Sequence, residues 1–271
     1  MTTMGGIELA TPRERAGRSI GMLLWGASGC GKTTLASTFP GPKLWISYDH
    51  GATDVIVDSE DVLVFDTTAL PISHVERWKE TDPFGINKVI KEHEIKTIVL
   101  DSLTTLSDVA LRYGVDHAGR TQQHAKAGIS VEDPGFGGYG RRKTWTMQAI
   151  HMLLRIGAAH GCNVVFIAHE DSPVTDKNGA VMYITMTLGS DMPEKGALAV
   201  SEVWYMRDYN GKREVFLRPS FMRKPMKSRM FDTRTKAQFL WDYDALTHKG
   251  LTMAALLDDW KAAGYDKLLP P

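Results

Sequence analysis

Residues 19–40 read SIGMLLWGASGCGKTTLASTFP, and this stretch decides the fold. It opens as an apolar run, Ile20 to Trp25, and breaks into Gly-Ala-Ser-Gly-Cys-Gly. It then resumes at Lys32-Thr33-Thr34-Leu35-Ala36. The pattern is G-x-x-x-x-G-K-T, with Gly26, Gly31, Lys32 and Thr33 on its fixed positions and Ala27, Ser28, Gly29 and Cys30 between them. Glycines let the backbone curl so that successive N–H groups, through Thr34, face phosphate oxygens. Lys32 would supply a point charge to the β- and γ-phosphates, and the Thr33 hydroxyl a ligand for Mg²⁺. A chance glycine turn would lack the apolar strand before it and the amphipathic helix after it. The stretch therefore implies binding of a nucleoside triphosphate, with ATP and Mg²⁺ as the expected cofactors.

Working outward, short apolar runs end repeatedly in polar residues. KLWISY (43–48) is followed by Asp49, TIVL (97–100) by Asp101, and NVVFIA (163–168) by His169. Helical spacing lies between them, which predicts an α/β fold with a mostly parallel sheet and a site along the strand ends. The turn signal Asp208-Tyr209-Asn210-Gly211 between two strand-like runs predicts antiparallel strands at one edge. Residues 114–140 show little periodicity and end in PGFGGYG, so they read as a long loop; residues 171–179 read as a second. Residues 251–263 read as a closing amphipathic helix. The expected division is a lead-in over 1–18, a core over 19–236 and a helical extension of the same domain over 237–271.

Strand-end acids suit metal and water chemistry. Asp101 would hold Mg²⁺ opposite Thr33, although an Asp-Ser pair also caps helices well. Asp49 could orient or deprotonate the attacking water, or simply favour the turn before Gly51. His169 could report the γ-phosphate to the loop that follows. The other eight histidines show no ligand spacing with Cys30 or Cys162, so no zinc site is expected.

Composition constrains the rest. The 271 residues carry a formal net charge of zero, with 43% hydrophobic and 24% charged side chains, ordinary for a soluble globular chain. Two cysteines suggest a reducing compartment rather than a disulfide framework. No apolar run has bilayer-spanning length and the first residues lack a signal-peptide core, so a cytoplasmic location is expected, that of the host cell if the chain is phage-encoded. Against this neutral background, residues 212–236 hold nine Lys or Arg against Glu214 and Asp232. Such a run is either a solvated face or a set of phosphate contacts.

GASGCGKTT, a strand ending in Asp-His, TIVLDS and a strand ending in His together resemble the RecA-type core ATPases. Within them the chain is most similar to the small phage ATPases of the Sak group, which are RecA-like single-strand annealing or recombination proteins. The resemblance covers about residues 20–231. It implies a RecA-like P-loop NTPase core and ATP hydrolysis, with Asp49 where that group places its catalytic glutamate and His169 where RecA has a nucleotide-sensing glutamine. It further implies a homo-oligomer, filament or ring, acting on single-stranded DNA, with a single-strand-binding protein as a candidate further partner. Phe136, Tyr139, Arg141 and Arg142 fall in the first DNA-binding loop of this scheme, and residues 170–194 in the second. Lys227-Ser228-Arg229 resembles the K-x-R element that reaches a neighbour's γ-phosphate. A RecA-like helicase or packaging-type motor, and an ATP-binding interaction protein with little turnover, are the alternatives.

Overall fold

A computed structural model describes residues 3–4, 7–8, 19–49, 51, 60–119, 130–131, 134–189, 191–220 and 222–271. Most of the expected lead-in, 1–18, and much of the first expected loop lie outside these residues. Two-residue strands β1 (Thr3–Met4) and β2 (Ile7–Glu8) pair antiparallel near the start of the chain.

The main body is an eight-stranded sheet in the order β12-β11-β10-β3-β7-β6-β4-β5. Its strands are β3 (Gly21–Gly26), β4 (Lys43–Ser47), β5 (Val62–Asp66), β6 (Thr97–Asp101), β7 (Asn163–His169), β10 (Glu202–Tyr209), β11 (Lys212–Phe216) and β12 (Gln238–Trp241). Six neighbours from β10 to β5 run parallel, and β11 and β12 complete the edge antiparallel. The β10–β11 turn has Asn210 at φ 54° and Gly211 at φ 75°, the paired left-handed geometry that suits a two-residue hairpin. The C-terminal stretch from 237 thus contributes a strand, β12, as well as a helix.

Helices α1 (Lys32–Ser37), α2 (Ile86–Glu92), α3 (Leu103–Gly119), α4 (Gly135–His160), α5 (Met192–Ala199) and α6 (Met253–Ala262) cover the two faces. Alternation along the strands builds both cores. Leu23 and Trp25 point to the side of α3 and α4, with Ile46, Leu100 and Phe166. Met22 and Leu24 point to the side of α1 and α6, with Trp45, Val99 and Trp204. Both faces of the central strands are buried, which is why they read as continuous apolar runs.

The two described ends of the first expected loop, 114–119 and 135–140, are helical instead. PGFGGYG forms the opening turns of the 26-residue α4, and α3 runs on to Gly119. The glycines serve helix packing. A Cβ on Gly114 would lie 3.2 Å from Gly138 O, and one on Gly138 would lie 2.8 Å from Pro134 Cβ. Glycine at 114 thus favours the close approach of α3 to α4, whereas the tightest contact of Gly138 is with Pro134 at the start of its own helix. The second expected loop holds a small hairpin, β8 (Val174–Thr175) and β9 (Val181–Tyr183).

Candidate functional site

Register brings the strand ends together. Gly26 pairs with His169, Asp101 with Ile167, and Ser47 with Asp101. The parallel strands therefore deliver the phosphate loop, His169, Asp101 and, two residues past Ser47, Asp49 to one edge. They line a cleft of about 380 Å³.

The loop backbone is tightly specified at two glycines. A Cβ at Gly26, φ 153°, would fall 1.9 Å from Met206 O. At Gly31, φ 97°, it would fall 2.9 Å from the Arg213 side chain. Lys32 is only 4% exposed, and its ammonium donates to Gly26 O at 3.0 Å and Ala27 O at 2.6 Å. Burial pulls its pKa down, with the charges of Cys30 and Asp101 acting the other way. Such an ammonium gains from an anion beside it.

Thr33 and Asp101 face one another. The Thr33 hydroxyl donates to Asp101 Oδ2 at 3.1 Å. Asp101 is 2% exposed, and burial pushes its carboxyl up to about 6, with the nearby charge of Asp49 adding to the effect. A buried carboxylate at this cost suits a cation. Among the described residues no group of three or more His, Cys, Asp or Glu forms a metal cage. The sparse Thr33–Asp101 pair instead fits Mg²⁺, which keeps waters and phosphate oxygens as its other ligands.

Beside them, Asp49 is held at both carboxylate oxygens. Oδ1 accepts from the Thr105 hydroxyl, and Oδ2 lies 3.2 Å from His169 Nε2. Burial pushes this carboxyl up, but hydrogen bonds from His169, Thr105 and Ser102 outweigh it and hold the group below its usual range. The backbone N–H of His169 donates to Thr104 Oγ1 at 2.9 Å, fixing the end of β7 to α3. Sequence reading missed Thr104 and Thr105. Their signal is the hydroxyl-rich start of α3 directly after Asp101. It missed Arg213 too, whose place beside Gly31 depends on strand pairing far along the chain.

The sequence matches, over residues 18–237, a family described as AAA domain. The chain belongs to that AAA-domain family. No curated protein matches it. Among solved structures, a KaiC-like protein from the hyperthermophilic archaeon Pyrococcus horikoshii OT3 is similar, at 15% identity and a TM-score of 0.41, covering 83% of this chain and 87% of that one.

The other predicted residues of this AAA domain lie away from the cleft. Arg142 is buried, its Nε donating to Ser107 Oγ at 2.7 Å and its Nη2 to Asp108 Oδ1 at 3.1 Å. It braces α3 against α4 and is not presented to a phosphate backbone, so the expectation of a DNA contact there is corrected. Phe136 is fully exposed and Tyr139 half exposed on the first turns of α4, while Arg141 reaches Gly114 O at 3.4 Å. Lys227 pairs with Val203, at the level of Leu23 in β3 and short of the phosphate loop. The Arg229 backbone N–H is anchored to the buried Glu202 at 2.7 Å. Neither Lys227 nor Arg229 lines the cleft of its own chain. No helix among the described residues is long and apolar enough to cross a membrane.

Proposed function

We propose that this AAA domain is a Mg²⁺-dependent ATPase of the RecA-like, phage Sak type, which binds single-stranded DNA as a homo-oligomer and promotes annealing or strand exchange. The observation that carries this reading is the hydrogen-bonded link His169–Asp49–Thr105 beside Thr33 and Asp101. Thr33 and Asp101 would hold Mg²⁺, which when bound draws charge from the phosphate oxygens. Lys32 and the loop amides would bind the phosphates. Asp49, kept ionised by its donors, would orient the attacking water and take its proton. His169 would exchange its bond to Asp49 for one to the terminal phosphate, which frees Oδ2 for that water.

The same exchange would carry nucleotide state outward. His169 O accepts from Thr187 N at 2.9 Å, and Glu170 bridges to Met186, so the end of β7 is tied to the chain that leaves the β8–β9 hairpin. Exposed Val181, Met182 and Tyr183 on that hairpin, with Phe136 and Tyr139 on α4, supply apolar surface against which unpaired bases could stack or pack. Measuring ATP turnover with and without single-stranded DNA tests the proposal. DNA-stimulated hydrolysis supports it, and turnover indifferent to DNA at saturating concentrations counts against it.

A second reading, an ATP-binding interaction protein with little turnover, is favoured by the same two bonds on Asp49. If His169 keeps its hold on Oδ2 with nucleotide bound, the carboxylate has no free face for water. Tight binding with negligible hydrolysis, with or without DNA, would select it.

A further inference from the structure

At the end of the sheet opposite the phosphate cleft, a cavity of about 240 Å³ lies between the strand starts and α6. Its floor is stitched by hydrogen bonds. Asn163 N donates to Lys96 O at 2.8 Å, Lys96 N to Pro42 O at 2.7 Å, and Ile20 N to Asn163 Oδ1 at 3.1 Å. The starts of β3, β6 and β7 are therefore fixed relative to one another. Helix α6 forms a wall. Thr252 caps its first turn, accepting from Ala255 N at 3.1 Å, and Thr38 after α1 accepts from Met253 N at 3.0 Å. Leu257, Trp260 and Lys261, spaced at three and four, line the cavity from one side of this helix.

Beyond α6 the chain doubles back. Tyr265 N donates to Trp260 O at 2.9 Å, and the two rings meet edge to face with centres 5.4 Å apart. Tyr265 takes a left-handed φ of 65°, which a bulky residue adopts rarely. The fold carries that strain where it sets an aromatic ring in the cavity wall.

The polar groups around this cavity are mostly donors without acceptors. Asn163 spends its side-chain oxygen on Ile20, which leaves the amide NH₂ as its free end. Lys96 and Lys261 have no ion-pair partner among the described residues. Trp260 is only 5% exposed, and its indole N–H is buried with no acceptor among them. Buried groups of this kind nearly always find a partner, from the chain or from outside it. Against these donors stands one lining carboxylate, Asp258. Two positive charges repel a cation, and the surplus N–H groups call for an acceptor. The volume matches about eight waters, room for a single ring bearing a short acidic group.

We infer that this cavity binds a small aromatic carboxylate, its acid group held by Lys96, Lys261 and the unpaired donors and its ring against Tyr265 and Leu257. It shares no lining residue with the phosphate cleft, so neither site depends on the other.

The test titrates benzoate into the full isotope-labelled chain and follows the indole N–H resonances by NMR, with Trp260→Phe identifying the one that belongs to Trp260. Benzoate is expected to shift that resonance saturably in the millimolar range, with or without Mg²⁺ and ATP. Benzylamine, similar in shape and opposite in charge, should leave it unmoved, and inorganic phosphate, which has no ring, should bind more weakly. Lys261→Gln, at an exposed position, should weaken benzoate by up to about fivefold, the scale of a partly exposed ion pair. Tyr265→Gly suits the left-handed backbone, so it tests the ring without adding strain. It should weaken benzoate by about three- to tenfold and leave phosphate unchanged. An unmoved Trp260 resonance, an equal response to benzylamine or phosphate, displacement by ATP, or parent-like benzoate affinity in both variants overturns the site.

Discussion

His169 Nε2 stands 3.2 Å from Asp49 Oδ2, so the residues that close β7 and follow β4 are directly bonded across the intervening β6. The bond makes separate predictions for its two ends. Asp49→Asn should keep nucleotide affinity and lower kcat by about 10²–10⁴-fold, the usual worth of a positioned base. His169→Ala should retain nucleotide binding but uncouple DNA affinity from ATP. Turnover at the parent rate in the Asn variant, or DNA affinity that still rises with ATP in the Ala variant, counts against the respective role.

Asp101 is a stability cost in the folded chain, one that its proposed role at Mg²⁺ would account for. Its carboxyl moves from an ordinary value of 3.8 to about 6 in the fold. The folded chain therefore holds the proton more tightly than the unfolded chain. Stability from this group is fully present below about pH 4 and is lost as pH rises through about 6. At neutral pH the shift corresponds to about 3 kcal/mol. Asp101→Asn should thus raise the melting temperature of metal-free protein at pH 7.5 and abolish Mg²⁺-dependent turnover. The difference from parent should shrink as pH falls toward 4. Thermal melts across that range, with and without Mg²⁺ and ATP, check both halves.

Arg142 should behave as a structural residue. The Ser107 hydroxyl it binds is fully buried, and its guanidinium also fills the space against Gly189, where a Cβ would come within 2.7 Å of Nη1. Arg142→Ala should cost about 1–3 kcal/mol for the unsatisfied hydroxyl, plus lost packing. Denaturant unfolding gives the value. An unchanged midpoint would contradict the bracing role.

The contrast with sequence reading has a physical basis. The phosphate loop, Asp101 and the parallel core were legible because each depends on local patterns: a glycine spacing, an apolar run, an acid at its end. Asn210-Gly211 announced its hairpin for the same reason. PGFGGYG misled because glycine serves two purposes, chain freedom and close packing, and only the facing Gly114 on α3 shows which applies. Arg142 misled likewise, since its partners Ser107 and Asp108 belong to another helix. Arg213 was visible only as one charge in a basic run, because β11 lies far along the chain from the phosphate loop whose Gly31 its side chain adjoins.

Lys227 and Arg229 do not line their own chain's cleft, and the role proposed for them is contact with a neighbouring subunit's γ-phosphate in the proposed homo-oligomer. Arginine or lysine supplied across an interface stabilises charge there only once subunits assemble. An inactive Arg229→Ala subunit mixed with an inactive Lys32→Ala subunit should therefore recover part of the ATPase activity. Absence of recovery at every ratio, with mixed assemblies demonstrated by light scattering, excludes the role in trans.

The proposed DNA surface rests on fewer residues than the sequence suggested. Phe136 is fully exposed on the first turn of α4 and Tyr139 half exposed on the next, while Arg141 retains only a long bond to Gly114 O. Scattered exposed aromatics are common on any protein, so their exposure alone decides nothing. Their response to substitution does. If bases stack there, Phe136→Ala and Tyr139→Ala should each cost about 1–3 kcal/mol of single-strand affinity and leave its salt dependence unchanged. Arg141→Ala should flatten the slope of log affinity against log salt by about 0.7, one released counterion on a single strand. Arg142→Ala, assayed where it remains folded, should leave that slope as in the parent, because its guanidinium is spent on Ser107 and Asp108. Parent-like affinity and slope in the Phe136, Tyr139 and Arg141 variants together would remove α4 from the DNA-binding surface and leave the β8–β9 hairpin as the remaining candidate.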